Sequence, residues 1–249
     1  SGLTSMPSIP SNVTEIGDYT FYNCRNMNNG GTIEIPEGVQ RIGNYAFYSV
    51  FYSKSKNLKI PSTLTYVGSN AFQYYMYLSD LYINDLSSFC KIEFANSFNV
   101  FNGSRTKFYV NNTQVTDLTI PTDITELKSY TFYNAETITG VTIPSTVTSI
   151  DGSSTFQQSG LRNVTVPSSV TSWTGSDTFS YCRSLTDATL NNRGNIGIYA
   201  FDGCRNLTSV TFGNNITAIG SGAFADCTSL TGVTFGNNIT AIDNNAFNG

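Results

Sequence analysis

The side chains of this 249-residue chain that could carry chemistry are cysteines, threonines, tyrosines and scattered carboxylates, since the chain has no histidine. The absence of histidine excludes Ser-His-Asp and Cys-His catalytic arrangements and every His-ligated metal site. The carboxylates are scattered, among them Asp80, Asp85 and Glu93, and none has the spacing of a calcium loop. We therefore predict no catalytic residues, no metal and no cofactor, and a protein that is not an enzyme.

Four of the five cysteines share one position, three residues after a phenylalanine. They are Cys24, Cys182, Cys204 and Cys227. A metal site or a disulfide ladder is one interpretation. The favoured one is a small buried slot, because other copies place Val50, Ala135 or Ser159 there and free cysteine packs as a small apolar residue. Cys90 lies outside this register and is expected to be reduced.

Six threonines also share one position, just before the last apolar residue of an extended segment. They are Thr119, Thr142, Thr165, Thr189, Thr211 and Thr234. A row of outward threonines suggests a surface that binds ice or carbohydrate. The alternative is that threonine simply suits a half-exposed strand and pairs with threonine across strands.

Most of the tyrosines precede residue 134. Exposed tyrosine combines apolar area with a hydroxyl and is enriched at protein interfaces. The candidate partner-binding residues are Tyr48, Tyr52, Tyr74, Tyr75, Tyr77 and Tyr82. The alternative is that these side chains cap the coil edges or pack beneath an irregular segment.

Most of these residues occupy fixed positions in a repeated sequence motif. An apolar residue precedes Pro or Gly, a second apolar residue follows about seven positions later, and a phenylalanine comes five or six positions after that. Nine copies end in Phe21, Phe47, Phe72, Phe132, Phe156, Phe179, Phe201, Phe224 and Phe247. The last two copies are 23 residues apart, and a fixed period of this length is typical of a solenoid.

Each copy predicts two extended pieces and a turn. The first piece alternates apolar and polar residues, as in Val164-Thr165-Val166, and Pro ends it because Pro lacks a donor for the strand ladder. The phenylalanine segment is too short for a stable isolated helix. We expect one helical or 3₁₀ turn there, with each phenylalanine stacked on that of the next coil. A hairpin is predicted from Phe108–Val110 and Val115–Leu118.

The pattern L-x-x-V-x-I-P-x-x-V-T-x-I-G-x-x-A-F-x-x-C, readable in Leu207–Cys227 apart from Phe-Gly for Ile-Pro, resembles the BspA-like leucine-rich repeats. Departures are Asn84 and Asn191 at the Pro position and Trp173 in place of Ile. The resemblance implies an α/β solenoid, β-dominated, a right-handed leucine-rich-repeat array. A parallel sheet lies on one side and short turns or 3₁₀ segments on the other. We predict one domain over residues 1–249, with an irregular insertion at about 86–115.

The resemblance also implies a surface or secreted bacterial protein that takes part in adhesion. The expected partner is a host or microbial surface protein, or a glycan. Net charge is −4 and only 12% of residues are charged, without a basic stripe, so a nucleic-acid partner is not expected. No apolar run is long enough to insert in a membrane, and the chain shows no targeting segment. One alternative is a structural spacer of a larger surface protein, since the chain stops within a repeat. The other is carbohydrate or ice binding through the threonine rows.

Overall fold

The computed structural model describes residues 2–27, 31–50, 56–73, 78–97, 100–101 and 105–249. Two compact units divide the chain, Ser1–Val115 and Thr116–Gly249. Within each unit, short strands from successive coils pair in parallel ladders and are linked by turns. The described residues contain one helix, of five residues, so the predicted β-dominated solenoid fold is confirmed. The single domain over residues 1–249 stays a prediction.

The first unit holds two ladders of strands and the helix. Its elements are β1 (Glu15–Ile16), β2 (Thr32–Glu34), β3 (Arg41–Ile42), β4 (Lys56–Ile60), β5 (Tyr66–Val67), β6 (Leu78–Ile83), α1 (Leu86–Cys90), β7 (Glu93–Phe94), β8 (Lys107–Val110) and β9 (Thr113–Gln114). One ladder runs β1-β3-β5-β7, and the other runs β2-β4-β6-β8-β9. Only the β8–β9 pair is antiparallel among these described pairs.

The second unit holds three groups of paired strands, all of them parallel. Its strands are β10 (Asp117–Thr119), β11 (Gly140–Thr142), β12 (Asn163–Val166), β13 (Asp187–Leu190), β14 (Gly194–Ile196), β15 (Ser209–Phe212), β16 (Ile216–Ile219), β17 (Gly232–Thr234) and β18 (Ala241–Ile242). The sheets are β10-β11, β12-β13-β15-β17 and β14-β16-β18. Strand residues alternate between buried and exposed, so apolar side chains point inward and polar ones outward.

Phenylalanine stacks form the centre of each unit, as predicted. In the first unit Phe21, Phe47 and Phe72 stack in succession. In the second unit the stack runs through Phe132, Phe156, Phe179, Phe201, Phe224 and Phe247. Their ring centroids lie between 5.1 and 5.6 Å apart. Trp173, which replaces Ile in its copy, is also buried and donates its indole N–H to Thr178 at 3.0 Å.

The phenylalanine segments are turns, and no 3₁₀ segment occurs among the residues that the structure describes. The residue two positions before each of the nine phenylalanines has a left-handed backbone, for example Tyr45 with φ 55°. The N–H of the phenylalanine itself donates to the next coil, as from Phe47 to the Ala71 carbonyl at 2.8 Å. The left-handed residues thus let N–H groups of each turn bond to the turn of the next coil. A helical turn would prevent this pairing, because its N–H groups bond to carbonyls of the preceding helical turn.

The stretch predicted as an irregular insertion continues both ladders of the first unit. Strand β7 pairs with β5, which places Phe94 beside Val67, and β8 pairs with β6. Helix α1 stands where other coils have a Pro-led turn, and its N-cap Asp85 accepts the N–H of Ser87 at 3.0 Å. Phe89, at the end of α1, and Phe101 are both buried and hold their ring centroids 6.1 Å apart.

The predicted hairpin is present, but its second arm is shorter and earlier in sequence. Strand β8 pairs with β9 through the pairs Tyr109–Gln114 and Val110–Thr113. Asn111 and Asn112 both have positive φ, 49° and 62°, which is the two-residue turn that matches the strand twist. A two-residue turn places Thr113 opposite Val110, so the second arm begins at Thr113 and not at Val115, whose N–H still donates to the Phe108 carbonyl at 2.8 Å.

Candidate functional site

The cysteines are buried and act as packing groups. All five are free, and the ladder residues Cys204 and Cys227 donate their S–H groups to the Phe179 and Phe201 carbonyls at 3.1 and 3.2 Å. Burial raises the pKa of the Cys227 thiol to about 12 and that of Cys204 well above its usual value. The predicted small buried slot is confirmed, and the raised pKa values make Cys204 and Cys227 poor nucleophiles near neutral pH.

Two of the six tyrosines predicted to bind a partner can be placed. Tyr52, Tyr74, Tyr75 and Tyr77 lie outside the described residues. Tyr48 is half-buried on the turn side of the first unit, and Tyr82 is half-buried on the outer face of β6. Tyr48 stacks on Tyr22, whereas Tyr82 stacks on Tyr109.

Tyr48 belongs to a cluster of four rings, which we call the tyrosine cluster: Tyr19, Tyr22, Tyr45 and Tyr48. Tyr19 stacks on Tyr45 with centroids 5.1 Å apart, and Tyr22 stacks on Tyr48 at 4.8 Å. Within the second of these coils, the Tyr45 and Tyr48 rings lie 5.5 Å apart. Tyr19 is 56% exposed and Tyr22 is 39% exposed, so the cluster presents aromatic surface to solvent.

Sequence reasoning did not include Tyr19 and Tyr22 among the candidates, although the repeat register could have found them. Both pairs occupy the same two positions of neighbouring coils, two residues before and one residue after the phenylalanine. Tyr19 and Tyr45 have φ of 57° and 55°, a backbone region that favours Gly and Asn. Local backbone preference therefore does not explain tyrosine at these two positions.

The outer sheet face of the first unit carries charged and aromatic side chains. Tyr82 on β6 stacks on Tyr109 of β8 with centroids 4.7 Å apart. In the same row, the Lys59 ammonium lies 2.7 Å from the Glu34 carboxylate. Burial, together with the charge of nearby Asp80, raises the pKa of the Tyr82 hydroxyl, so this ring stays neutral over the physiological range.

The outer sheet face of the second unit carries the predicted threonine row, which we call the threonine face. Thr165, Thr189, Thr211 and Thr234 are register partners on successive strands, and Thr119 is the partner of Thr142. Five of these six residues are exposed and Thr189 is half-buried. The outward row is confirmed, while a ligand for it stays a prediction.

Two aspartates of the second unit are held by hydroxyl groups. Asp151 accepts hydrogen bonds from Ser172 Oγ at 2.8 Å and from Thr174 Oγ1 at 2.7 Å, and also from Ser149. Burial opposes its charge, but these hydrogen bonds outweigh burial and lower the pKa of Asp151 to about 2. Asp187 has its pKa lowered in the same way by Ser209 and Thr186. These groups act as links between coils.

A polar groove of about 510 Å³ lies on the turn side of the second unit, and we call it the turn groove. Its principal residues are Asn134, Glu136, Gln158, Gly160, Tyr181 and Arg183. They come from three successive coils and were not singled out by the sequence patterns. Their shared register, two and four residues after the phenylalanine, could have indicated them.

The part of the chain that the structure describes has neither a metal-binding cluster nor a membrane-spanning helix. No group of three or more Cys, Asp or Glu side chains there is arranged to hold a metal ion. No described helix has the length and hydropathy needed to cross a membrane.

Comparison with solved structures finds the same fold in bacterial proteins. A leucine-rich repeat protein from Eubacterium ventriosum ATCC 27560 is 20% identical, with a TM-score of 0.60 over 100% of this chain and 89% of that chain. A leucine rich cell surface protein from Faecalibacterium prausnitzii A2-165 is 24% identical, with a TM-score of 0.51 over 86% of this chain and 71% of that chain. At these identities the likeness shows the fold alone.

A search of curated proteins finds no match. The sequence does match the profile of the BspA type leucine rich repeat region, in six copies over residues 3–103, 103–196 and 174–249. These matches agree with the phased phenylalanines, the parallel ladders and the coil-to-coil turns described above. The chain therefore belongs to the BspA type leucine-rich repeat family.

Proposed function

We propose that this chain is a non-catalytic binding module of a bacterial cell-surface or secreted protein, and that it contacts a protein on a host or microbial surface. The observation that carries the proposal is the tyrosine cluster. Membership in a family of repeat proteins supports a binding role, because repeats build a scaffold and vary its surface. A cell-surface location is supported by the Faecalibacterium protein of the same fold, which is a cell surface protein.

The tyrosine cluster has the properties of a protein-binding surface. Tyrosine is enriched among the residues that dominate interface energies, since one ring supplies apolar area and a hydroxyl at a low entropic cost. The stacking of Tyr19 on Tyr45 and of Tyr22 on Tyr48 holds the rings in place before a partner arrives. Binding then requires little further ordering of these side chains, which favours affinity.

A matched pair of variants tests the proposal. Tyr19→Ser with Tyr22→Ser removes the two most exposed rings of the cluster. Tyr130→Ser with Tyr133→Ser makes the same change at the same two repeat positions in the second unit, where the rings lie 6.4 Å apart. The intact chain is immobilised and screened against purified extracellular-matrix and bacterial surface proteins, and each ligand found is then measured against both variants.

We expect the Tyr19/Tyr22 variant to weaken binding by at least about tenfold, which is the loss of affinity expected when one moderately important interface residue is removed. The Tyr130/Tyr133 variant should bind as the parent does. Equal binding by all three chains, or equal loss in both variants, would overturn the role of the cluster. Failure to find any protein ligand among these panels would count against the binding module itself and favour the spacer.

A further inference from the structure

The turn groove is open at its centre because the middle coil has a glycine there, which has no side chain to fill the space. Glu136, Gly160 and Arg183 occupy the same repeat position in three successive coils, four residues after the phenylalanine. Glu136 and Arg183 carry long side chains, whereas Gly160 carries none. A Cβ atom at Gly160 would lie only 2.0 Å from the Glu136 carbonyl oxygen, so the coils meet closely here. The gap between the flanking side chains spans two coil spacings, about 10 Å.

Tyr181 forms a rigid aromatic wall of this groove. One side of its ring lies against Gly203 of the next coil, where a Cβ atom would come within 2.6 Å of ring carbons. The neighbouring Asp202 carboxylate raises the pKa of the Tyr181 hydroxyl, so this group stays protonated at neutral pH. Packed against Gly203, the ring turns its other side towards the coils that supply the remaining groove residues. A wall held in this way costs little entropy when a ligand binds.

The other groups of the groove are planar and polar. Asn134 and Gln158 supply two amides, each with donors and an acceptor, from the same repeat position of neighbouring coils. Glu136 adds a carboxylate and Arg183 a guanidinium, so the charges of the lining balance. A cavity of this volume is within the usual range for small ligands. Balanced charge and few apolar side chains disfavour both ions and purely apolar ligands.

We propose that the turn groove binds a neutral saccharide, one or two hexose units of a glycan. A pyranose ring has a C–H face that packs on an aromatic ring and hydroxyl groups that pair with amides, carboxylates and guanidinium groups. Tyr181 supplies the first surface, while Glu136 and Arg183 supply acceptor and donor on opposite sides of the gap. The site lies in the second unit, and it is separate in sequence and in ligand class from the tyrosine cluster.

The test uses the intact, isotope-labelled chain and neutral saccharides: glucose, galactose, mannose, N-acetylglucosamine and their linear oligomers. NMR titration should show amide shifts concentrated at Asn134, Gln158, Gly160 and Arg183, saturating with one sugar per chain. Shifts confined to the threonine face would move the site there and overturn the groove. Saccharides that produce no saturable shifts, while short peptides do, would overturn the ligand class.

Variants with matched controls complete the test. Tyr181→Leu keeps an apolar cover over Gly203 but removes the aromatic wall, and Arg183→Ala removes the donor; each should weaken sugar binding at least tenfold. Tyr199 lies against Gly222 in the same manner, and Arg205 has the register of Arg183, both outside the groove. Tyr199→Leu and Arg205→Ala should leave binding unchanged.

Unchanged affinity in Tyr181→Leu, or equal loss in its Tyr199→Leu control, would refute the site. Because the titration of the parent chain maps the groove directly, a variant that fails to fold does not remove the test. The Tyr19/Tyr22 double variant should still bind sugar, so failure of the saccharide site and failure of the protein-binding surface can be told apart.

Discussion

The two units have cores of the same kind, each built on a phenylalanine stack, but present different surfaces. In the first unit, the outer face of the β2-β4-β6-β8 ladder contains an ion pair and stacked rings: the Lys59 ammonium lies 2.7 Å from the Glu34 carboxylate, and the Tyr82 and Tyr109 ring centroids lie 4.7 Å apart. In the second unit, the corresponding sheet face carries threonine together with Ser, Asp and Asn. This difference shows that the repeat pattern determines the core residues and leaves the surface residues free to vary. A partner can therefore be sought on the parts where the two surfaces differ.

The largest expected effect tests whether the two cores are equivalent. Phe47→Ala in the first unit and Phe201→Ala in the second each remove a fully buried ring from a stack, and each should lower stability by about 3–5 kcal/mol. Urea unfolding followed by circular dichroism measures both. Phe247→Ala is the control, because that ring is already 36% exposed and its loss should be clearly smaller. Losses that differ widely between the two buried variants would break the comparison.

The antiparallel hairpin is found only in the first unit among the described residues, and it depends on Asn111 and Asn112. Replacing either with Thr should cost about 1 kcal/mol, because a β-branched residue tolerates positive φ poorly. Asn237→Thr makes the same change at a residue without positive φ and should have little effect. Thermal unfolding of the three variants gives the result, and equal midpoints would show that the turn is not strained by Thr.

The two sheet faces should differ in cross-strand coupling. A double-mutant cycle of Tyr82→Ala and Tyr109→Ala should give a coupling energy near the upper end of 0.2–1 kcal/mol, about the range for cross-strand pairs, because the rings stack at 4.7 Å. The cycle of Thr165→Ala and Thr189→Ala on the threonine face should give a value near the lower end. Equal couplings would mean that the aromatic face has no special packing.

The smallest effect concerns acid stability of the second unit. The pKa of Asp151 is lowered to about 2, so its contribution is complete above about pH 4, the usual pKa of a free Asp side chain, and is lost as the pH falls towards 2. Asp151→Asn should lose less than about 1 kcal/mol at pH 7, since the group is mostly exposed. Its stability should then depend less on pH between 4 and 2 than that of the parent, measured by urea unfolding at each pH. A parallel fall in both chains would contradict the assignment.

Several features could be predicted from the sequence because one register places them. The phenylalanine stacks, the buried cysteines and the outward threonines each follow from a position that recurs in successive copies. Between Phe72 and Phe132 the pattern could not place the second apolar position, because α1 replaces the Pro-led turn and Phe94 stands eleven residues after Ile83 instead of seven. The left-handed residues of the turns are often Tyr, Ser or Asp, whereas Gly is the residue type that usually indicates positive φ. Nothing in the sequence therefore indicated the left-handed backbone, and helical turns were expected.

The sequence by itself determined the solenoid fold, the family and the identity of the core. Core residues recur at the same position of each coil, and equivalent residues of neighbouring coils bury one another. Only the tertiary structure decided which surface residues meet. The tyrosine cluster and the turn groove both join side chains more than 20 residues apart, and the groove exists because one coil carries Gly160 between Glu136 and Arg183. Such groupings depend on what varies from coil to coil: the register aligns their positions, but only the structure shows which of the aligned side chains meet.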